Sequence, residues 1–286
     1  MDLVIRSPAK INWTLRVLGD RPDGYHEIES LVSAVTLYDE LAFTSRTDGR
    51  FVLTCDAPNV PTDQRNLICR AAALMAADVG QVGGLQCRLT KRIPVGGGLG
   101  GGSSNAAAAL RALNRLWGLD WSTERLMDAA AKLGSDVPFF LIGGTALIRG
   151  RGEQVRPATL PWRGWIVLML PGLTVATADV YRAWRAEPSS ANDDVCVGRN
   201  GESPAAVRWM SRAYNMLEKP ARQVCPALGE LIDRAERILD RPIRISGSGS
   251  TLFTAYDGQR QAAESADLLG RELQLRTCVV QVAEPT

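Results

Sequence analysis

The sequence predicts an α+β fold built of two α/β domains, residues 1–157 and 158–286. Three observations predict it. Residues 10–17 alternate polar and apolar as a half-buried strand does. Eleven residues from Pro94 to Ser104, six of them glycine, join an apolar strand pattern (Leu85, Cys87, Leu89) to an alanine-rich helical pattern. The segment Arg156-Pro157-Ala158-Thr159-Leu160-Pro161 then interrupts the periodicity, as connections between domains do. With 286 residues, 45% hydrophobic and 22% charged, the chain is long enough to bury two modest cores.

In chain order, Ile11, Trp13, Leu15 and Val17 are assigned to one strand face and Lys10, Asn12, Thr14 and Arg16 to the other, so Lys10 and Asn12 share a side. Gly19 to His26 is rich in turn residues, and 31–37 and 51–55 are strand-like. Asn66 opens a helix through about Ala77, and 85–93 is a strand running into the glycines. Apolar residues at 106, 109, 110, 113, 116 and 117, closed by Gly118, predict a helix over 104–117. Ser122 caps a helix ending at Gly134, and Gly143 to Glu153 is a turn between strands. Beyond the connection come a strand at 165–170 and helices near 178–186, 205–223 and 227–239. A strand, glycine turn and strand through Ile243 to Phe253, a helix at about 259–274 and a strand at 277–282 complete a half with helices on a mostly antiparallel sheet.

Composition excludes several functions. A net charge of +2, with Lys and Arg spread along the chain, predicts no nucleic-acid surface, so a small molecule is the expected partner. No apolar run is long enough for a membrane span, and the N-terminus runs straight into a strand, so a cytoplasmic protein is expected. The six cysteines form no C-x-x-C pair and are read as buried free thiols of a reducing compartment. The single histidine, His26, rules out a histidine-rich metal site and any triad that His26 does not serve. Chemistry falls to carboxylates, lysines and backbone. Nothing in the sequence speaks to oligomeric state.

The glycine run reads as a phosphate loop. Glycines let the backbone approach an anion, and the helix that follows offers free N–H groups and its positive dipole end. No Gly-Lys-Ser/Thr closes a Walker loop. Gly96-x-Gly98-x-x-Gly101 matches a dinucleotide fingerprint only loosely, and no acidic residue stands at the offset needed to hold a ribose. A nucleoside triphosphate is therefore preferred to NAD. From spacing alone, Asp136, just before Val137-Pro138, serves either as a helix cap or as a presented carboxylate. Lys10 on a polar strand face is either solvated or chemical, Tyr181 either core or a stacking ring, and Ser246 to Ser250 either a tight hairpin or a second loop.

The phosphate loop, the Pro8-Ala9-Lys10-Ile11-Asn12 strand, Gly134-Ser135-Asp136-Val137-Pro138-Phe139-Phe140 and Ser246-Gly247-Ser248-Gly249 together resemble the GHMP small-molecule kinases, in order and over most of the chain. The resemblance implies ATP and Mg²⁺, with Lys10 and Asp136 as the catalytic pair and Asp136 accepting or orienting the attacking hydroxyl. It implies that Pro94, Val95, Gly96, Gly97, Gly98, Leu99, Gly100, Gly101, Gly102, Ser103 and Ser104 hold the ATP phosphates, with Asn66 and Lys91 near the adenine. Ser246, Gly247, Ser248 and Gly249 would close over the phosphates, and Ser103 or Ser104 would approach the metal, whose other protein ligands stay unassigned. Arg21-Pro22-Asp23-Gly24-Tyr25-His26 narrows the resemblance to members that phosphorylate the 2-hydroxyl of a cytidine diphosphate-linked polyol. That implies Asn12 on the polyol, His26 on the cytosine edge, and Tyr25, Thr177 and Tyr181 in the acceptor site. Tyr181 stands where the family usually has phenylalanine, and Ser135 where it more often has alanine.

Overall fold

In the computed structural model, which describes residues 3–80, 82–160, 162–185 and 205–285, the N-terminal alternation forms β1 (Leu3–Asn12) and β2 (Thr14–Asp20). Pro161 and Cys196 lie outside the described residues. A bend at Trp13 separates the two strands and divides the predicted apolar face. Ile11 and Trp13 enter one core cluster, Leu15 and Val17 another. Lys10 and Asn12 are both buried, on the same side of β1.

There follow β3 (His26–Arg46), β4 (Phe51–Cys55), α1 (Leu67–Val79), β5 (Gly84–Thr90), α2 (Gly101–Leu116), α3 (Thr123–Leu133), α4 (Val137–Ile142), β6 (Thr145–Gly150) and β7 (Gln154–Pro157). The C-terminal half contributes β8 (Trp165–Leu170), α5 (Thr177–Ala183), α6 (Ala206–Arg212), β9 (Tyr214–Asn215), α7 (Glu218–Val224), α8 (Pro226–Leu239), β10 (Arg244–Ile245), β11 (Leu252–Tyr256), α9 (Gln259–Leu273) and β12 (Arg276–Val280). One sheet runs β4-β5-β3-β2-β9, with β1 and β6 also on β3 and β7 on β6. The other runs β10-β11-β8-β12 and is antiparallel throughout, where a mostly antiparallel sheet is expected.

Four of the differences from the local pattern have a clear physical reason. β3 spans 21 residues rather than 31–37, because β1, β2, β5 and β6 all pair with it and satisfy its backbone through the polar stretch Asp39-Glu40. The turn expected over 143–153 shrinks to Arg151-Gly152-Glu153, with β6 and β7 on either side. The helix expected over 205–223 breaks at β9. There, Asn215 Nδ2 donates to the carbonyls of Ile245 and Gly247, and β9 pairs in parallel with Thr14-Leu15, so tertiary bonds override helical propensity. Finally, α2 begins at Gly101 rather than 104, inside the glycine run, where low helix propensity hides its start.

The helix caps follow the sequence. Asn66 Oδ1 accepts from Ile68 N at the start of α1, and Ser122 Oγ from Arg125 N at the start of α3. The alanine-rich face of α2 (Ala106, Ala107, Ala109, Ala112) is fully buried, and its small side chains let the helix lie close to the sheet and to α1. Trp13 ties the two halves together: its ring makes edge contacts with Trp162, Trp209 and Phe253 at centroid distances of 5.6, 5.6 and 5.5 Å. Truncating such a buried ring costs roughly 3–5 kcal/mol. The strand that carries Lys10 and Asn12 is thus anchored in the C-terminal half by the residue directly after Asn12.

Candidate active site

A cavity of about 1090 Å³ opens between the glycine loop, β1, the loop before β3, α5 and the Ser246–Gly249 turn. Its size is at the upper end of the range for small-molecule sites. Lys10, Asn12, Tyr25, His26, Asn66, Lys91, Pro94 through Ser103, Asp136, Thr177, Tyr181, Gly247 and Ser248 line it. Ser104, Ser246 and Gly249 do not. Ser104 is turned into the fold with its Oγ buried and unpartnered, and Ser246 is fully buried beneath the glycine loop.

The loop is shaped by its protein neighbours as well as by any ligand. Gly98 has φ +75°, and a Cβ there would fall 2.2 Å from the carbonyl oxygen of Ser246. Ser246 Oγ donates to Gly98 O at 3.0 Å and Thr251 N to Gly97 O at 3.1 Å, so the third motif is bonded directly beneath the first. Gly100, left-handed at φ 68°, opens α2, which has no side-chain cap and no acidic residue in its first turn. The amides of Gly101, Gly102 and Ser103 therefore lack intrahelical partners, and these residues, at the positive end of the helix dipole, line the cavity.

Lys10 is held from three directions. Its backbone N donates to Leu99 O at 3.0 Å, its Nζ donates to Asn12 Oδ1 at 2.6 Å, and Asp136 Oδ2 lies 3.9 Å from Nζ. Burial pulls the ammonium below its usual 10.5, and the charge of Asp136 partly restores it. Asn12 Nδ2 donates to Ser30 Oγ at 2.8 Å, so this amide is fixed where it orients Lys10, and Asn12 still lines the cavity. Asp136 occupies the N-cap position of α4 but makes no side-chain cap bond. The capping alternative therefore falls away, and the carboxylate, about one-third exposed, faces the cavity and Lys10.

Asn66 and Lys91 are both committed to protein partners. Asn66 caps α1 with Oδ1 and donates Nδ2 to Pro61 O. Lys91 Nζ is paired with the fully buried Asp39, whose other oxygen accepts from Arg92 N and Ile93 N at 2.7 and 2.9 Å. Asp39 escaped sequence reading because its partners are 52 to 54 residues away. It fixes the chain just before the glycine loop, and it holds the Lys91 ammonium 3.2 Å from where a Cβ on Gly101 would stand.

Tyr25, also on the cavity wall, is half exposed, with the Arg151 guanidinium 5.0 Å from its ring centre. The His26 ring lies 4.9 Å from that of Tyr181 at 36° and 5.7 Å from Trp184, and its Nε2 is 3.1 Å from Asp20. Burial, then the charge of Asp136, pushes the Tyr181 phenol well above its usual value. Thr177 Oγ1 shares a 2.8 Å hydrogen bond with Ser248 Oγ, joining α5 to the third motif. Arg151 is a further wall residue that its glycine-rich surroundings gave no reason to single out.

One family model, GHMP kinases N terminal domain, matches residues 66–144, and another, GHMP kinases C terminal, matches 194–272. The chain is 38% identical over 253 residues, 88% of each chain, to a 4-diphosphocytidyl-2-C-methyl-D-erythritol kinase of Bacillus subtilis. The chain belongs to this GHMP kinase family. It is an ATP-dependent small-molecule kinase. A relative of the same name from Pelotomaculum thermopropionicum is 41% identical over 250 residues, 86% of each chain. A crystal structure of a 4-(cytidine 5'-diphospho)-2C-methyl-D-erythritol kinase superposes with a TM-score of 0.79 at 36% identity, over 99% of this kinase and 100% of that chain. Among the described residues, no helix of the kinase is long and apolar enough to cross a membrane. Cys55, Cys69, Cys87, Cys225 and Cys278 carry free thiols.

Proposed function

We propose that the kinase transfers the γ-phosphoryl group of ATP to the 2-hydroxyl of 4-diphosphocytidyl-2-C-methyl-D-erythritol, a step of the methylerythritol phosphate route to isoprenoid precursors. The observation that carries this reading is one cavity lined by a free helix N-terminus, the Lys10–Asp136 pair and an aromatic wall of Tyr25, His26 and Tyr181. Homoserine, mevalonate or a simple sugar has no base for that wall to hold, and a pure nucleotide binder has no use for the pair.

In the reaction, the acceptor oxygen bonds to the γ-phosphorus as the bond to the β,γ-bridging oxygen breaks and ADP leaves. Asp136 accepts or orients the hydroxyl proton, and Lys10 offsets charge on the transferred group. Positioning and electrostatics suffice, because phosphoryl transfer asks little covalent chemistry of the protein. The glycine loop and α2 amides bind the phosphates, with Gly247 and Ser248 of the third motif at the cavity wall and Ser246 and Gly249 supporting them from below. Asn66 and Lys91 border the nucleotide side.

Mg²⁺ belongs to this reading as a nucleotide-borne ion. Among the described residues no group of three or more acidic, cysteine or histidine side chains forms a metal cage. Ser103 at the cavity wall supplies the kind of single oxygen donor that suits an ion ligated mostly by phosphates and water. When bound, the ion neutralises phosphate charge. The reading keeps residues 1–157 and 158–286 as two domains. It places the kinase in the cytoplasm, where its free thiols stay reduced.

Thermal shift tests the acceptor side. CDP at 100 times its Kd stabilises a protein that binds it by about 2.7 kcal/mol. A rise in Tm with CDP, absent with a free polyol at equal concentration, is expected. No shift at millimolar CDP contradicts the reading.

A further inference from the structure

Tyr25 lies on a surface loop, yet the network around it is closed. Asp23 Oδ1 accepts from Tyr25 N at 3.2 Å, and Arg21 N donates to Tyr25 O at 2.8 Å. The Arg21 guanidinium reaches both Asp23 oxygens, with Nε at 3.3 and 3.2 Å and Nη2 at 3.2 Å, while its Nη1 donates to Glu27 Oε2 at 2.5 Å. Glu27 Oε1 accepts from Gly150 N at 3.1 Å. Gly150 leads directly into Arg151, the residue whose guanidinium covers the Tyr25 ring. From Tyr25 the path therefore runs through Asp23, Arg21, Glu27 and Gly150 to Arg151 and back to the same ring.

We infer that Arg21 is a positioning residue for the acceptor: it fixes the Tyr25 backbone through Asp23 and the turn that covers the Tyr25 ring through Glu27. The inference rests on the proposed use of Tyr25 to hold a nucleobase. Half-exposed ion pairs contribute little stability individually, so this network is explained by geometry rather than by folding energy. A planar guanidinium presents donors in a fixed fork that sets the geometry of both carboxylates, whereas an ammonium on a flexible stem attracts them without fixing their orientation. Arg21 itself lies outside the cavity lining, which separates its role from direct contact with the ligand.

Calorimetric titration of CDP and, separately, of ATP into the parent, Arg21→Met and Arg21→Lys tests this, with Tm recorded for each. Arg21→Met is expected to weaken CDP about tenfold, leaving ATP affinity and Tm near parental values. Arg21→Lys is expected to recover part of the loss. CDP affinity unchanged in Arg21→Met overturns the inference, as does equal weakening of CDP and ATP, which marks a general loosening of the cleft. A parent that binds ATP but not CDP overturns the acceptor reading itself, and the role of Arg21 with it.

Discussion

The Lys10 ammonium stands 3.9 Å from the Asp136 carboxylate while Asn12 Oδ1 grips it at 2.6 Å. The ammonium is therefore aimed by the strand it belongs to and is not neutralised by a tight ion pair. On the proposed reading, the space beside Asp136 is where the reacting hydroxyl would sit.

Asp136→Asn retains the shape of the side chain and loses its charge and basicity. Since Asp136 makes no cap bond, α4 does not depend on it. We expect kcat to fall roughly 10²–10⁴-fold with ATP affinity retained, measured by steady-state kinetics and titration. A kcat within about threefold of the parent removes Asp136 from the chemistry.

Lys10 carries a pH signature. Because burial lowers its pKa in the fold, the folded protein holds the proton less tightly than the unfolded chain, whose lysine titrates near 10.5. The stability penalty is present below the folded pKa and is relieved as pH rises from there to 10.5. Chemical denaturation should show the stability gap between the parent and Lys10→Met narrowing across that window. The kcat/KM of the parent should fall on an alkaline limb below pH 10.5, and the small residual activity of Lys10→Ala should lack that limb.

Local chemistry made much of this legible. Asn66 and Ser122 announced their helices because a cap is a contact within three residues, and the Lys10-x-Asn12 alternation put both residues on one side because strand geometry has period two. What stayed hidden was long-range. Asp39 is one charged residue in a strand until Lys91 to Ile93 fold over it, and Asn215 breaks a helix for carbonyls 30 and 32 residues away. The third motif, read by itself as a hairpin, gains its meaning from the Gly98 backbone it touches.

The same contacts decide how the glycine loop is best probed. A Cβ at Gly101 would meet Ile93 Cγ2 at 2.9 Å, so Gly101→Val confounds packing with binding. Gly102 is exposed in the first turn of α2 with nothing within 4 Å of a Cβ. Gly102→Leu should therefore keep or slightly raise Tm through better helix propensity, about 0.5–1 kcal/mol, while the side chain at the cavity wall weakens ATP at least tenfold. Unchanged ATP affinity by titration removes the phosphate role of this helix end.

Tyr25 and Tyr181 are each already covered on one side, by Arg151 and His26. On the proposed reading, a base would stack on the faces left open. Alanine at either position should weaken CDP by about 1–3 kcal/mol in calorimetry, with ATP affinity untouched. Equal loss of both ligands would mean that the rings support the cleft rather than the base.

The most direct measurement compares kcat/KM for 4-diphosphocytidyl-2-C-methyl-D-erythritol, homoserine, mevalonate and the free polyol in one ATP-coupled assay, with the phosphorylated product identified by mass spectrometry. The expected result is turnover of the cytidine compound to a monophosphate at least about a hundredfold above every other acceptor, because binding energy from the remote base orients the reacting hydroxyl. Homoserine or mevalonate turned over as well as the cytidine compound contradicts the acceptor assignment and leaves only the GHMP kinase class.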